Sequence, residues 1–262
     1  MDPTVPAPTR EENAAAFSHD DVVAAYRFRP PYPDALIERL LGLIPGGVRT
    51  VLELGCGTGE LSRRLAPRVG HVDAIDPSAA MLGAARLGDG GDAANIAWVQ
   101  SLAEDFDYPH TYDLALAAES IHWMDWDVVF PRLAGAMSAA GRLVWMTREE
   151  DAPWSDEYRA IIPRFSVVSD YRPVDFPSEL ERGGFWHMEG RASTPAVAFR
   201  QSIDEYVELQ HSRSAFARYR IGPEKAAGFD AALRTMLAPH AREGMLEYAF
   251  SVPYAWGRPL AR

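Results

Sequence analysis

Apolar positions in the first 150 residues fall into short continuous runs, each followed by a stretch with helical spacing. After Pro33, DALIERLLGLIP sets Leu36, Ile37, Leu40, Leu41 and Ile44 on one helical face, with Asp34 as its N-cap. RTVLELG then reads as a buried strand, GELSRRLAPR as a helix, HVDAIDP as a strand, and SAAMLGAARL as a helix starting near Ser78. GDGGDAAN is a loop by composition. A strand IAWVQ, a loop SLAEDFDYPH, a strand YDLALAA, a helix around DVVFPRLAGAMS and a strand RLVWMT led by Gly141 complete the series. Pro131 is tolerable in that helix only near its first turn. Strands alternating with helices over short links predict an α/β fold, a doubly wound and mostly parallel sheet covered on both faces.

Past residue 150 the pattern changes to short helices mixed with Pro and aromatics, read as a C-terminal helical cap. FWHMEGRASTPAVAFR is a strand region, and SIDEYVEL opens with a capping box, Ser202 and Glu205. GPEKAAGFDAALRTML is a helix with Pro223 first, and MLEYAFSVPYAW alternates Leu246, Tyr248, Phe250 and Val252 as one half-buried strand. Residues 1–15, Pro-rich and polar, are expected to be a disordered lead. Residues 16–262 are expected to be one domain, its core about 46–150 and its cap and last strands about 151–262.

Composition narrows the partners. A formal net charge of -11 argues against nucleic acid, whose phosphates demand Lys and Arg. No run approaches the roughly 18 apolar residues of a membrane span. The start lacks an apolar signal core, so a soluble cytoplasmic protein is expected. A single cysteine, Cys56, excludes an intramolecular disulfide or a multi-cysteine metal site, and no metal is expected. Oligomeric state is not legible.

Candidate chemistry begins at VLELGCGTGE, residues 51–60. Gly55, Gly57 and Gly59 between strand and helix let something approach the backbone closely, unless they only make a tight turn. A dinucleotide fingerprint needs glycine where Glu60 stands, and a phosphate loop needs Lys followed by Ser or Thr. Glu53 at the strand end would repel a pyrophosphate but suit an ammonium group. Asp76 ends the next strand, where a carboxylate can accept both ribose hydroxyls; its alternative is to cap the helix that Ser78 also could cap. Together they favour a nucleoside carrying positive charge.

The segments VLELGCGTG, AIDPSAAML, YDLALAAESIHW and GRLVW resemble the class I S-adenosylmethionine-dependent methyltransferases, which have a Rossmann-like fold. YRFRPPYP and SIDEYVELQHSRSAF are similar to the small-molecule subgroup typified by trans-aconitate methyltransferase. The resemblance implies that Glu53, Gly55, Gly57 and Gly59, with Cys56 in the same loop, surround the methionine part of S-adenosylmethionine. It implies Asp76 with Pro77 at the ribose and Met81 packing nearby. Where relatives bind the adenine amino group with an Asp, this chain has Leu102, leaving adenine to Ala103 and Glu104. Arg29, preceded by Tyr26, would pair with the cofactor carboxylate, or RPPYP simply anchors the N-terminal segment.

Substrates of open parallel sheets bind beyond the strand C-termini. Glu119, His122 and Trp123 should therefore face the methyl end, with His122 as base or orienting donor, or else a core histidine. Trp145 and Arg148 are substrate-side candidates, Arg148 alternatively a solvated surface residue. Trp154, Phe165, Tyr171, Phe176, Phe185 and Trp186 line an apolar pocket or pack the core. HSRSAFARYR, with Arg213, Arg218 and Arg220, hints at an anionic small-molecule substrate. The expected reaction is in-line O-methylation of a carboxylate or hydroxyl. The alternatives are a non-methylating cyclase or rearrangement enzyme on the same cofactor, a nucleotide-binding regulator, and a nicotinamide dehydrogenase, which Glu53 and Glu60 disfavour.

Overall fold

The strand runs of the first 150 residues lie side by side in one sheet. The computed structural model describes residues 16–168 and 174–261; the expected disordered lead and Tyr171 fall outside them. Among the described residues the strands are β1 (Thr50–Leu54), β2 (His71–Asp76), β3 (Ile96–Gln100), β4 (Tyr112–Ala118), β5 (Met137–Met146), β6 (Glu149–Asp151), β7 (Trp186–Ser193), β8 (Val197–Ser202), β9 (Met245–Ser251) and β10 (Pro253–Pro259). The helices are α1 (Asp20–Ala25), α2 (Asp34–Gly42), α3 (Glu60–Leu65), α4 (Ala79–Leu87), α5 (Trp126–Ala136), α6 (Ser155–Phe165), α7 (Phe176–Arg182), α8 (Ile203–His211), α9 (Arg218–Ile221) and α10 (Pro223–Leu237).

The chain divides into two compact units. The first, Pro31–Glu149, Val174–Pro195 and Ser251–Arg262, holds a seven-stranded sheet ordered β3-β2-β1-β4-β5-β10-β7. β1 to β5 pair in parallel, whereas β10 runs antiparallel to both β5 and β7. Consecutive strand residues point to opposite faces, and both faces are buried. Val51, Val72, Leu114 and Val144 meet Leu36 and Leu40 of α2 and Leu61 and Leu65 of α3 on one face. Leu52, Leu54, Ala115 and Leu143 meet Phe130 and Leu133 of α5 and Leu180 of α7 on the other. This is the expected doubly wound, Rossmann-like sheet.

The second unit, Met1–Pro30, Glu150–Pro173 and Ala196–Phe250, is more than helical. It holds a three-stranded sheet ordered β6-β9-β8 beside α6, α8 and α10. Its core gathers Trp154, Phe165, Tyr206, Phe229, Leu233 and Tyr248, so the cap aromatics Trp154 and Phe165 are packing residues. No described helix is long and apolar enough to cross a membrane.

Four local expectations change. The alternating run MLEYAFSVPYAW is two strands in different sheets, broken at Val252, which exchanges hydrogen bonds with Thr194. Pro33, not Asp34, occupies the N-cap of α2, and the Asp34 carboxylate pairs with Arg64. Pro131 lies past the first turn of α5, where it contributes no amide hydrogen to the helix. β5 starts before Gly141, where a side chain would sit 2.7 Å from the Tyr112 carbonyl beside a register shift.

Candidate active site

Leu54 ends β1, and the chain then turns through Gly55, Gly57 and Gly59 with φ of +70°, +54° and +70°. The amides of Gly55 and Cys56 both donate to the Ile75 carbonyl at 2.9 Å, tying the turn to β2. A Cβ at Gly55 would stand 2.7 Å from Ser120 Cβ, and one at Gly59 would stand 2.3 Å from the Trp98 ring. At these two positions the close approach is made by the protein's own side chains. Cys56 is buried, and burial pushes its thiol well up, so it is an inert packing residue.

Asp76, at the tip of β2, is 7% exposed and has both carboxylate oxygens aimed by backbone donors. The Gly57 amide donates to Oδ2 and the Ser78 amide to Oδ1, each at 2.8 Å. Burial raises its pKa while those two donors oppose the rise. Ser78 caps α4, its hydroxyl accepting from the Met81 amide at 3.1 Å. The helix-capping alternative for Asp76 is thereby taken by Ser78. Pro77 is exposed beside it, and Met81 is buried.

Glu53 is buried under the turn. Its Oε2 accepts from the Ser62 amide at 2.9 Å and from the Ser62 hydroxyl, binding β1 to the first turn of α3. Burial pushes Glu53 up to about 8, against the two Ser62 bonds and with help from Glu60 and Asp76.

Beside it lies a charged network that the sequence reading missed. Arg148, whose side chain is 10% exposed, pairs with Glu60 Oε2 at 2.8 Å and Glu119 Oε2 at 3.5 Å. Its guanidinium sits 3.7 Å from the centre of the Tyr32 ring. The Arg148 amide donates to Glu119 Oε1 at 3.0 Å, and the Tyr32 amide donates to Glu60 Oε1. Glu119 takes φ of +56°, a conformation costly for a side chain and held here by these bonds. Arg148 is thus neither a solvated surface residue nor an uncommitted anion receptor, since its charge is matched by two carboxylates. Ser120 donates to the Leu54 carbonyl at 2.6 Å and joins the β4 tip to the glycine turn. Glu60, read only as a missing glycine, had no local signal for this role, because its partner is 88 residues away.

At the β3 tip, Leu102 is 48% exposed and Ala103 is buried. The Ala103 carbonyl accepts from the Tyr108 hydroxyl at 2.9 Å, and Glu104 Oε1 accepts from the Asp125 amide at 2.6 Å. Both groups expected at adenine therefore have partners within the protein.

Beyond β4, His122 and Trp123 stand in a single turn of 3-10 helix, both half-buried. The His122 ring is 4.4 Å from the Trp123 ring and stacks on Phe176 of α7 at 5.3 Å. Nothing in the local sequence pointed to Phe176 as its neighbour. His122 is not a deeply buried core histidine. Trp145 of β5 packs half-buried against the sheet core.

Tyr26 and Arg29 belong to the second unit. The Arg29 guanidinium lies 4.0 Å from the Tyr26 ring and donates to the Ser212 hydroxyl and carbonyl at 2.8 and 2.9 Å. These contacts serve the anchoring alternative. The basic run there is also matched. Arg213 pairs with Glu150 at 2.8 Å, Arg218 with Glu208 at 2.6 Å, and buried His211 lies 2.6 Å from Asp230. Arg220 donates to the Ser214 carbonyl at 3.0 Å.

Residues 51–141 match a family model described as a methyltransferase domain. An uncharacterized methyltransferase of Mycobacterium tuberculosis is 36% identical over 152 residues, 57% of this chain and 60% of that protein. The chain thus spans about 60% of the length of the first curated relatives it matches. Among solved structures, a provisionally assigned type II methyltransferase from Anaeromyxobacter dehalogenans aligns with a TM-score of 0.64 at 24% identity, covering 87% of this chain and 96% of that one. A methyltransferase from Thiobacillus denitrificans, in complex with S-adenosyl-L-homocysteine, aligns at 0.53 and 17% identity over 91% of this chain and 97% of that one. The last two likenesses speak for the fold alone.

Proposed function

We propose, from the match of residues 51–141 to a methyltransferase domain, that this chain binds S-adenosylmethionine and methylates an oxygen of a small-molecule acceptor. The observation that carries the reading is Asp76. Its carboxylate ends β2 beside the glycine turn, with each oxygen held by a backbone amide. Such a carboxylate keeps lone pairs for two vicinal hydroxyls, as a ribose presents. The residues fit the cofactor in charge as well. Glu60 and Glu119 place two carboxylates near the turn, which suits a cationic ligand, with Arg148 and Arg64 paired to them.

In this reading Asp76 and Pro77 hold the ribose, and Gly55, Cys56, Gly57 and Gly59 supply backbone to the methionine end. Glu53 keeps the turn in shape through Ser62, while Glu119 does so through Arg148. Met81, Leu102, Ala103 and Glu104 border the adenine, with Leu102 offering apolar surface where an acid would offer a hydrogen bond. When bound, S-adenosylmethionine supplies an electrophilic methyl group on a sulfonium sulfur. The chain must then hold an acceptor oxygen about 3–3.5 Å from that carbon and keep water away.

His122, set between Trp123 and Phe176, is the group that takes the acceptor's proton, and the two rings with Trp145 provide apolar surface for its body. A base of this kind serves a hydroxyl; a carboxylate needs none. With the arginines matched internally, a hydroxyl acceptor in the manner of small-molecule methyltransferases is the reading we favour.

The test follows methyl-labelled S-adenosylmethionine with a panel of phenols, alcohols and carboxylic acids. Label in a hydroxyl-derived ether, with kcat reduced roughly 10²-fold or more in His122→Ala, supports the proposal. Labelled esters with His122→Ala unaffected would move the acceptor to carboxylates. Product formed without label would replace transfer by cyclisation or rearrangement.

A further inference from the structure

The amino-terminal half of β2 carries a polar cluster that methyl transfer does not use. Asp73 is buried, and its Oδ1 lies 3.0 Å from His71 Nε2 while its Oδ2 lies 2.8 Å from His110 Nδ1. The Tyr112 hydroxyl donates to the same Oδ2 at 2.6 Å. The two imidazole centroids are 4.6 Å apart, and the side chains of His71 and His110 are 32% and 47% exposed. One ligand atom from each of His71, Asp73 and His110 lies within 4.8 Å of the others. Asp73 precedes Asp76 by three strand residues, so roughly 10 Å of β2 separates the cluster from the glycine turn.

A carboxylate buried in a strand needs partners, and one or two fixed donors would suffice. Here two solvent-reaching imidazoles, from β2 and from the loop before β4, converge on one buried carboxylate. Around a divalent ion with bonds of about 2.0–2.2 Å, neighbouring ligand atoms stand about 3 Å apart. The observed nitrogen–oxygen separations, each to its own oxygen of Asp73, are of that size, and the three ligand atoms lie within 4.8 Å of one another.

We propose that His71, Asp73 and His110 bind a divalent transition metal ion of borderline softness, of which Zn²⁺ is the representative. Two histidines and one carboxylate are a donor set such ions favour. On binding, each neutral imidazole carries its proton on the nitrogen remote from Asp73 and turns a lone pair to the ion. Asp73 contributes one oxygen, and the Tyr112 hydroxyl continues to orient that carboxylate from outside. The exposed side of the two rings leaves room for water as a fourth ligand. The expectation of no metal rests on the single cysteine, which says nothing of a site built from histidine and aspartate.

The experiment titrates the metal-stripped full chain with Zn²⁺ by calorimetry and with Co²⁺ by visible absorption. The expected result is one Zn²⁺ per chain with a micromolar or lower Kd. His71→Gln and His110→Gln should each weaken it at least tenfold. Glutamine retains a donor for Asp73, and an unchanged metal-free melting temperature shows that the fold survives. Binding that is absent, or equal in the doubly substituted chain, overturns the site and leaves a polar knot joining β2 to the loop before β4. Should the substituted chains fail to fold, the native chain decides. Intense visible bands of four-coordinate Co²⁺ support the site, and the pale spectrum of the hydrated ion refutes it.

Discussion

Glu53 illustrates how one position can serve both fold and site. Its carboxyl stays protonated up to about 8 because burial disfavours the anion, while the same group in the unfolded chain ionises near 4.5. Between those values the native state holds the additional proton. The stabilising contribution is therefore complete below about pH 4.5, falls as pH rises, and is gone above about pH 8. Its size is on the order of a few kcal/mol. Glu53→Gln keeps an acceptor for Ser62 and cannot ionise. Its melting temperature should fall less than that of the native chain between pH 5 and 8, as calorimetric scans would show; equal slopes would refute the assignment. Glu53 was legible in sequence as a strand-end acid next to glycines, and Asp76 as the acid that ends the following strand, both local signals. The matched charge of Arg148 was not, since Glu60 and Glu119 reach it only across the sheet end.

Elements show the same division. The capping box at Ser202 and Glu205 and the cap at Ser78 both form as read, because capping depends on residues within one turn. The glycine turn was located correctly, yet part of its reason was not visible. Gly59 combines a φ of +70° with the Trp98 ring of β3 lying where a side chain would go. Gly59→Ala should cost about 3 kcal/mol, of which about 1–2 is backbone strain and the rest overlap. Adding Trp98→Leu should return at least about 1 kcal/mol relative to the sum of the single changes, measured as a double-mutant cycle in urea. Additive losses would mean that Trp98 is not the obstacle. The split of MLEYAFSVPYAW at Val252 escaped notice for a related reason. Alternation continues across the break while the two strands enter different sheets.

For the whole molecule, folding and ligand binding are linked. A ligand at about 100 times its Kd adds roughly 2.7 kcal/mol, which for a chain of this size raises Tm by roughly 5–10 °C. S-adenosylhomocysteine should produce that rise and NAD should not, and Asp76→Ala should abolish it at the same ligand concentration. A thermal scan unchanged by S-adenosylhomocysteine would count against the cofactor site. The sequence by itself determined the α/β class, the parallel strands, the glycine turn and the two strand-end acids. Each of these depends on hydrophobic period or on residues adjacent in the chain. Only the tertiary structure decided which charges cancel, which aromatics surround His122, and that His71, Asp73 and His110 meet. Those outcomes depend on strand order and on packing between distant segments, and neither leaves a periodic trace along the chain.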